Sequence, residues 1–212
     1  RQRQMCIRDR DREGITGIKY ISFMNIRVAH EKKGCAEKIL PFLKDGESIY
    51  NTLLVSKPGA GKTTCLRDCI RSLSNGKEGW EGMKICVVDE RSEIAACHLG
   101  IPQNDMGIRT DVLSGCGKSE GMMLMLRSMS PQIIAVDELG GKKDFQAVEQ
   151  AACSGVRILG TVHADTVEEL WEKPYLKKWM KRGIFERFIL IRHNRSGERD
   201  FQVFNGKREQ LC

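Results

Sequence analysis

No apolar run in the 212 residues approaches the length of about 20 that crosses a bilayer, so no membrane-spanning helix is predicted. The first residues are charged and lack the apolar segment of a secretory signal. None of the nine cysteines forms a C-x-x-C pair, and Cys65 and Cys69 have no histidine nearby, which argues against a zinc site. Such cysteines suit small buried hydrophobes in a reducing cytoplasm.

Aromatic residues make up 6% of the chain, a fraction that offers few stacking platforms for single-stranded nucleic acid. The net charge of +7 is compatible with a nucleotide, a nucleic acid or a membrane face as partner, and it does not choose among them. The hydrophobic fraction of 41% and the charged fraction of 30% are typical of a globular protein that buries a core.

A phosphate-binding loop is predicted at residues 56–64, which read Ser-Lys-Pro-Gly-Ala-Gly-Lys-Thr-Thr after the apolar segment 51–55. A Gly-rich turn between a strand and a helix points backbone N–H groups at an anion and adds the positive end of the helix dipole. Lys62 then reaches the outer phosphates of ATP, and Thr63 is a ligand for Mg²⁺. Ser56 stands where the pattern has glycine, so an ordinary Gly-Pro turn is the alternative. The candidates for ATP binding are Ser56, Pro58, Gly59, Ala60, Gly61, Lys62, Thr63 and Thr64.

Two carboxylates follow the apolar segment 133–136, at the point where a buried parallel strand emerges. In a P-loop ATPase the first, Asp137, holds Mg²⁺ and the second, Glu138, polarises the attacking water. A strand that ends in a solvated acidic turn is the alternative. Beside the P-loop, the catalytic interpretation is favoured.

Two further predicted strands also end in polar residues. Thr161 and His163 close one of them, and either can touch the γ-phosphate or the attacking water; for His163 an ordinary surface histidine is the alternative. Asp89, Glu90 and Glu93 follow the other strand. Because the carboxyl ends of parallel strands meet at one edge, we expect these groups to converge on one crevice.

The chain alternates between strand and helix patterns from residue 51 onward. Strands are predicted at 51–55, 84–88, 132–136 and 156–162, helices at 61–74, 119–129, 143–154, 167–170 and 175–181, and a loop-rich segment at 99–117. Segments 187–192 and 200–204 predict a closing antiparallel pair. The fold class is therefore α/β: a P-loop NTPase with a mostly parallel, RecA-like sheet flanked by helices.

The predicted domain organisation has three parts. We expect residues 1–14 to be non-native or disordered and residues 15–44, with strand propensity at 15–29, to be a remnant of an N-terminal domain and its linker. Residues 45–212 are expected to form the P-loop ATPase domain.

The order of these motifs resembles the stage III sporulation protein AA family, which belongs with the type II/IV secretion ATPases. The resemblance covers about residues 23–205. It rests on the P-loop and on runs at 88–95 (Val-Asp-Glu-Arg-Ser-Glu-Ile-Ala), 101–103, 107–113 (Gly-x-Arg-Thr-Asp-Val-Leu), 127–131, 136–138, 161–164 and 183–187. The runs at 88–95 and 109–113 are specific to that family, whereas the P-loop is not.

The resemblance implies a hexameric, cytoplasmic ATPase that uses ATP and Mg²⁺. It implies a place on the mother-cell side, peripheral to the outer forespore membrane, with the membrane proteins of the stage III sporulation channel as partners and no nucleic acid. It also implies that Glu90 or Glu93 is the acidic box and His163 the histidine box. Family members carry a longer N-terminal domain, so we expect this chain alone to assemble weakly and to turn over ATP slowly.

Hexameric ATPases of this kind complete a site with an arginine from the next subunit. Arg109, in a Gly-rich loop, and Arg127, at a helix end, are the candidates, with structural ion pairing as the alternative for each. Other functions stay open: a nucleotide-gated scaffold with little hydrolysis, or a DNA-acting recombination-type ATPase. A small-molecule kinase is disfavoured because no Arg-rich lid insertion is evident.

Overall fold

The computed structural model describes residues 6–11, 14–19, 31–77, 79–194 and 198–212. The chain divides into two units, residues 1–30 and residues 31–212. In the first unit, strands β1 (Cys6–Asp11) and β2 (Gly14–Lys19) form an antiparallel pair. The predictions for residues 1–5, 12–13 and 20–29 lie outside the described residues. The predicted domain boundaries stay predictions.

The second unit holds the remaining elements, in which strands and helices mostly alternate from β5 onward. In chain order they are α1 (Leu40–Leu43), β3 (Lys44–Asp45), β4 (Ser48–Ile49), β5 (Thr52–Ser56), α2 (Lys62–Asn75), β6 (Ile85–Asp89), β7 (Thr110–Ser114), α3 (Lys118–Met129), β8 (Ile133–Val136), α4 (Lys142–Cys153), β9 (Arg157–His163), a 3-10 helix (Glu168–Trp171), α5 (Pro174–Lys181), β10 (Arg187–His193) and β11 (Arg199–Asn205).

The main sheet has seven strands in the order β11-β10-β5-β9-β8-β6-β7. All neighbouring pairs are parallel except β10 and β11, which form an antiparallel hairpin. The predicted α/β fold with a mostly parallel sheet and a closing antiparallel pair is therefore confirmed. Because β5, β6, β8 and β9 run in the same direction, the residues that follow them meet at one edge of the sheet.

Each face of this sheet carries its own apolar core. Alternating strand residues such as Leu53, Val55 and Ile134 pack with side chains of α3, α4 and α5. The residues between them, such as Leu54, pack with α2 and with the segment 36–43. The central strands are buried throughout, which is why they read as continuous apolar runs in the sequence.

One strand of the main sheet was not predicted. The segment 99–117 was expected to be loop-rich, and within it Thr110–Ser114 forms β7 at the edge of the sheet. Every residue of β7 is only partly buried, and among the described strands β7 pairs with β6 alone. An edge strand of this kind lacks the apolar run that marks a central strand, so its sequence resembles a loop. Within the described part of the chain, no helix is long and apolar enough to cross a membrane.

Candidate functional site

The P-loop joins the end of β5 to the start of α2. All five residues of β5 are buried, and α2 begins at Lys62, directly after the turn. Gly59 and Gly61 have φ angles of 79° and 89°, a left-handed conformation that L side chains rarely adopt. Gly61 is the N-cap of α2 and offers no side chain to its first N–H groups. These groups are therefore free to face an anion.

Lys62 lies inside the loop, with only 5% of its surface exposed. Its Nζ atom donates to the carbonyl and hydroxyl oxygens of Ser56 at 3.0 and 3.1 Å and to the carbonyl oxygen of Lys57 at 3.1 Å. Burial lowers the pKa of Lys62, and the negative charges of Asp137 and Glu138 oppose that shift. Ser56 therefore holds the P-loop lysine through two oxygens.

Thr63 and Asp137 come together as the two predicted Mg²⁺ ligands. The Thr63 hydroxyl donates to Asp137 Oδ2 at 2.7 Å, although the residues are 74 positions apart. The other oxygen of Asp137 accepts hydrogen bonds from the Thr161 hydroxyl and from the backbone N–H of Glu138. A hydroxyl and a carboxylate are hard oxygen donors, the kind that Mg²⁺ prefers, so this pair fits the ion.

Glu138 follows Asp137 in a left-handed backbone conformation, with a φ angle of 52°. Its side chain meets Arg91 Nη1 at 2.9 Å and His163 Nε2 at 3.2 Å. Burial alone would raise the pKa of Glu138, but the hydrogen bond from His163 and the nearby positive charges of Arg91 and Lys118 outweigh it and hold the pKa below its usual value. Glu138 is therefore ionised at neutral pH.

His163 links the P-loop to this carboxylate. Its Nδ1 atom lies 3.0 Å from Lys62 Nζ, and its Nε2 atom faces Glu138 Oε1. Because the lysine ammonium can only donate, Nδ1 accepts and the proton sits on Nε2, which donates to the glutamate. The neutral Nε2–H tautomer satisfies both contacts.

The acidic segment after β6 has two separate tasks. Asp89 is buried, and its carboxylate accepts the backbone N–H groups of Glu93, Ile94 and Ala95 at 2.8–3.1 Å, which shapes the turn. Glu90 is exposed and pairs with Lys118 at 3.4 Å. Glu90 and Glu93 line one small cavity with Asp137 and Glu138.

The structure does not bring Arg109 and Arg127 to the P-loop. Arg109 directly precedes β7, and Arg127 lies in the last turn of α3, before β8. Both therefore lie toward the edge where the parallel strands begin, opposite the edge that carries the P-loop. Arg109 and Arg127 are exposed there, so neither reaches its own subunit's site. Their action on a neighbouring subunit stays a prediction.

Sequence reasoning missed two cations that contact Glu138. Arg91 pairs with Glu138, and Lys118 donates to the Glu138 carbonyl at 2.8 Å from the first position of α3. Arg91 lies between the two acidic candidates, so its place in the chain was a usable signal. Lys118 follows the turn after β7, and the failure to recognise that strand concealed it.

A cleft of about 680 Å³ opens beside the P-loop. Its walls are residues 56–60 of the loop, Asp165 and Thr166 after β9, and the last residues of β10, Leu190 to His193. The cleft continues from the P-loop on the side away from Asp137, since β10 and β9 flank β5. Its size lies within the range of small-molecule sites.

Comparison with known sequences matches residues 7–211 to the family model described as "Sporulation stage III, protein AA". "Stage III sporulation protein AA" of Bacillus subtilis is 43% identical over 176 residues, which cover 83% of this chain and 57% of that protein. The chain thus spans little more than half the length of this relative.

Two solved structures share the fold. "X-ray structure of the Legionella pneumophila ATPase DotB" superposes with a TM-score of 0.61 at 16% identity and covers 83% of this chain and 51% of that one. The VirB11 ATPase of the Brucella suis type IV secretion system, in complex with sulphate, gives 0.55 at 14% identity, over 82% and 54%. At these identities the likeness concerns the fold, which is that of P-loop secretion ATPases.

Proposed function

The chain belongs to the stage III sporulation protein AA family, and on that premise we propose that it is a Mg²⁺-dependent ATPase that powers a membrane complex of endospore formation. The observation that carries the proposal is the convergence at one sheet edge of Lys62, the Thr63–Asp137 pair and the Glu138–His163 pair. These groups come from three strand ends. They supply a cation that binds phosphate, a pair of metal ligands and a catalytic general base.

Each group has a distinct task in hydrolysis. The N–H groups at the start of α2 and the ammonium of Lys62 bind the β- and γ-phosphates. Thr63 and Asp137 would hold Mg²⁺, and the bound ion would supply positive charge to neutralise the phosphate oxygens. The ionised carboxylate of Glu138 orients the attacking water, and the Nε2–H of His163 fixes the direction of that carboxylate. The adenine base and the ribose of ATP occupy the cleft beside the P-loop.

The proposed setting follows the family and the fold. We assign the chain to the cytoplasm on the mother-cell side, at the periphery of the outer forespore membrane, because the Bacillus relative is a sporulation protein and the fold is that of secretion ATPases. A homo-hexamer and the membrane proteins of the stage III channel are the proposed partners. A nucleic acid is not among them.

Steady-state ATP hydrolysis by the parent and by Glu138→Gln, with ATP binding by Lys62→Ala as the companion measurement, tests the proposal. Glu138→Gln should bind ATP and lose turnover by about 10²- to 10⁴-fold, the range for a lost general base. Lys62→Ala should lose tight ATP binding. If the parent protein binds ATP but does not hydrolyse it at any protein concentration, the ATPase function is refuted. The protein would then be a nucleotide-gated scaffold.

A further inference from the structure

Arg199 lies beside the P-loop of its own subunit. It is the first residue of β11 and pairs with His193 at the end of β10. Because β10 runs parallel to β5, this end of the hairpin reaches the edge that carries the loop. A Cβ atom built on Gly61 would lie 2.6 Å from Arg199 Nη2 and 2.9 Å from Cζ. The guanidinium therefore packs directly on the α carbon of Gly61, at the start of α2.

Within the part of the chain that the structure describes, the guanidinium charge of Arg199 has no partner. Its Nη1 atom is buried, and it has no hydrogen-bond acceptor. Among the described residues, no carboxylate forms an ion pair with this arginine. The thiol of Cys35 lies within range of the charge, but its hydrogen bond with Cys65 and its burial hold its pKa far above the usual range, so Cys35 is a neutral neighbour.

This placement is costly unless an anion binds nearby. A buried N–H group of a cation without an acceptor loses hydration and gains nothing in return. The positive end of the α2 dipole adds to the cost, because a cation is disfavoured at a helix N-terminus. A phosphate group at the start of α2 removes both penalties at once. A planar guanidinium also matches phosphate oxygens with paired N–H groups.

We propose that Arg199 is a phosphate-binding residue of the nucleotide site, contributed by the same subunit that supplies the P-loop. The proposal rests on the proposed function, since it requires a nucleotide in the P-loop. Arg199 would approach the phosphate chain from the β10–β11 hairpin, on the side opposite Asp137 and Glu138. The sheet order, with β5 between β10 and β9, puts the two sets of groups on either side of the loop.

Calorimetric binding of ADP and of pyrophosphate to the nucleotide-free protein tests this role. The variants are Arg199→Met, Arg199→Lys and, as the matched control, Arg182→Met. Arg182 directly follows α5 and lies away from the P-loop. It is exposed and pairs with Glu149. Arg199→Met should lower the binding affinity for both ligands by about 10- to 100-fold, which is what the loss of charge-assisted hydrogen bonds costs. The affinities of Arg199→Lys should lie between those of Arg199→Met and the parent, and the affinities of Arg182→Met should equal those of the parent.

Thermal unfolding without ligand provides the second readout. Removal of the partly exposed guanidinium, whose Nη1 atom is buried without an acceptor, should leave the unfolding temperature of Arg199→Met unchanged or raise it, while the stabilisation by ADP shrinks. A lower unfolding temperature with unchanged affinities would assign Arg199 a packing role alone and overturn the proposal. Weaker ADP binding with unchanged pyrophosphate binding would indicate that Arg199 contacts the adenosine part of the nucleotide. That result would also overturn the proposal.

The Lys62→Ala variant separates this proposal from the function on which it rests. If the parent binds ADP, Lys62→Ala does not, and Arg199→Met binds like the parent, the P-loop assignment stands and the role of Arg199 is refuted. If the parent binds neither ligand, the nucleotide site itself is refuted, and Arg199 with it. Arg199→Lys keeps the charge and provides the same comparison should the methionine variant fail to fold.

Discussion

The Nδ1 atom of His163 lies 3.0 Å from the Nζ atom of Lys62, across 101 positions of the sequence. This contact ties the phosphate-binding lysine to the last residue of β9, and the opposite nitrogen of the same ring holds Glu138. The site therefore contains a chain of hydrogen bonds that runs from the phosphate-binding ammonium of Lys62 to the carboxylate of Glu138.

His163→Ala should shift the acid limb of the pH–rate profile to higher pH. The hydrogen bond from His163 lowers the pKa of Glu138, so its loss raises that pKa. Because the ionised carboxylate is the active form, activity then disappears at a higher pH than in the parent. The measurement is kcat/KM for ATP between pH 4 and pH 8. His163→Gln, which keeps an N–H donor, should shift the limb less; equal shifts in the two variants would contradict the role of the hydrogen bond.

Lys62→Met should abolish nucleotide binding without destabilising the nucleotide-free fold. The pKa of Lys62 is lowered by burial, so the charged form is less stable in the folded protein than in the unfolded chain. That cost is present at neutral pH and disappears as pH rises through the ordinary value of 10.5. Thermal unfolding at pH 7 should therefore give an equal or higher midpoint for the variant. A clearly lower midpoint would mean that the hydrogen bonds of Lys62 to Ser56 outweigh its desolvation.

Thr63→Val should raise the Mg²⁺ concentration needed for half-maximal hydrolysis. The substitution removes the hydroxyl that faces Asp137 Oδ2 at 2.7 Å and keeps the size of the side chain. One of the two protein ligands is then lost, while the phosphate-binding N–H groups remain. Titration of Mg²⁺ at saturating ATP measures the effect. Thr63→Ser, which restores the hydroxyl, is the control and should recover the requirement of the parent.

The two acidic candidates should differ in their sensitivity to substitution. Glu90 is exposed and pairs with Lys118, which in turn holds the carbonyl of Glu138. The backbone of Glu93 is held by Asp89. Glu90→Gln should therefore lower kcat modestly, through the position of Glu138, with KM for ATP unchanged. A larger loss in Glu93→Gln than in Glu90→Gln would identify Glu93 as the residue that corresponds to the acidic box.

An arginine that acts between subunits should show complementation. Arg109 lies at the edge opposite its own P-loop, so a catalytic role requires a neighbouring copy. Inactive Arg109→Ala and Lys62→Ala subunits, when mixed, should recover part of the parent rate, because some sites then combine an intact P-loop with an intact arginine; a trans arginine contributes about 10³-fold or more. The same mixture with Arg127→Ala tests the second candidate. No recovery in a mixed oligomer verified by sedimentation would rule out the arginine tested.

The P-loop was predictable from the sequence because it is local. Its turn, its glycines and the start of α2 lie within nine consecutive residues, and the conformational demand at Gly59 and Gly61 can be met by few other residue types. The buried strands were equally legible, since a strand covered on both faces reads as an apolar run. Asp137 and Glu138 followed from the end of such a run. The fold class rests on these same segments, whereas the family resemblance depends most on the runs at 88–95 and 109–113.

The pairings that turn these segments into a site depend on strand order, which local patterns do not specify. Only the order β5-β9-β8-β6 puts His163 between Lys62 and Glu138, and brings Arg91 to the carboxylate and Lys118 to the backbone carbonyl of Glu138. The same order leaves β7 at the edge, half-buried and easily mistaken for loop, and separates Arg109 from the P-loop. On the other side of β5, the hairpin carries Arg199 to Gly61. The sequence by itself therefore determined which residues carry phosphate chemistry, whereas tertiary structure decided which of them touch, because those contacts are made by residues far apart in the chain.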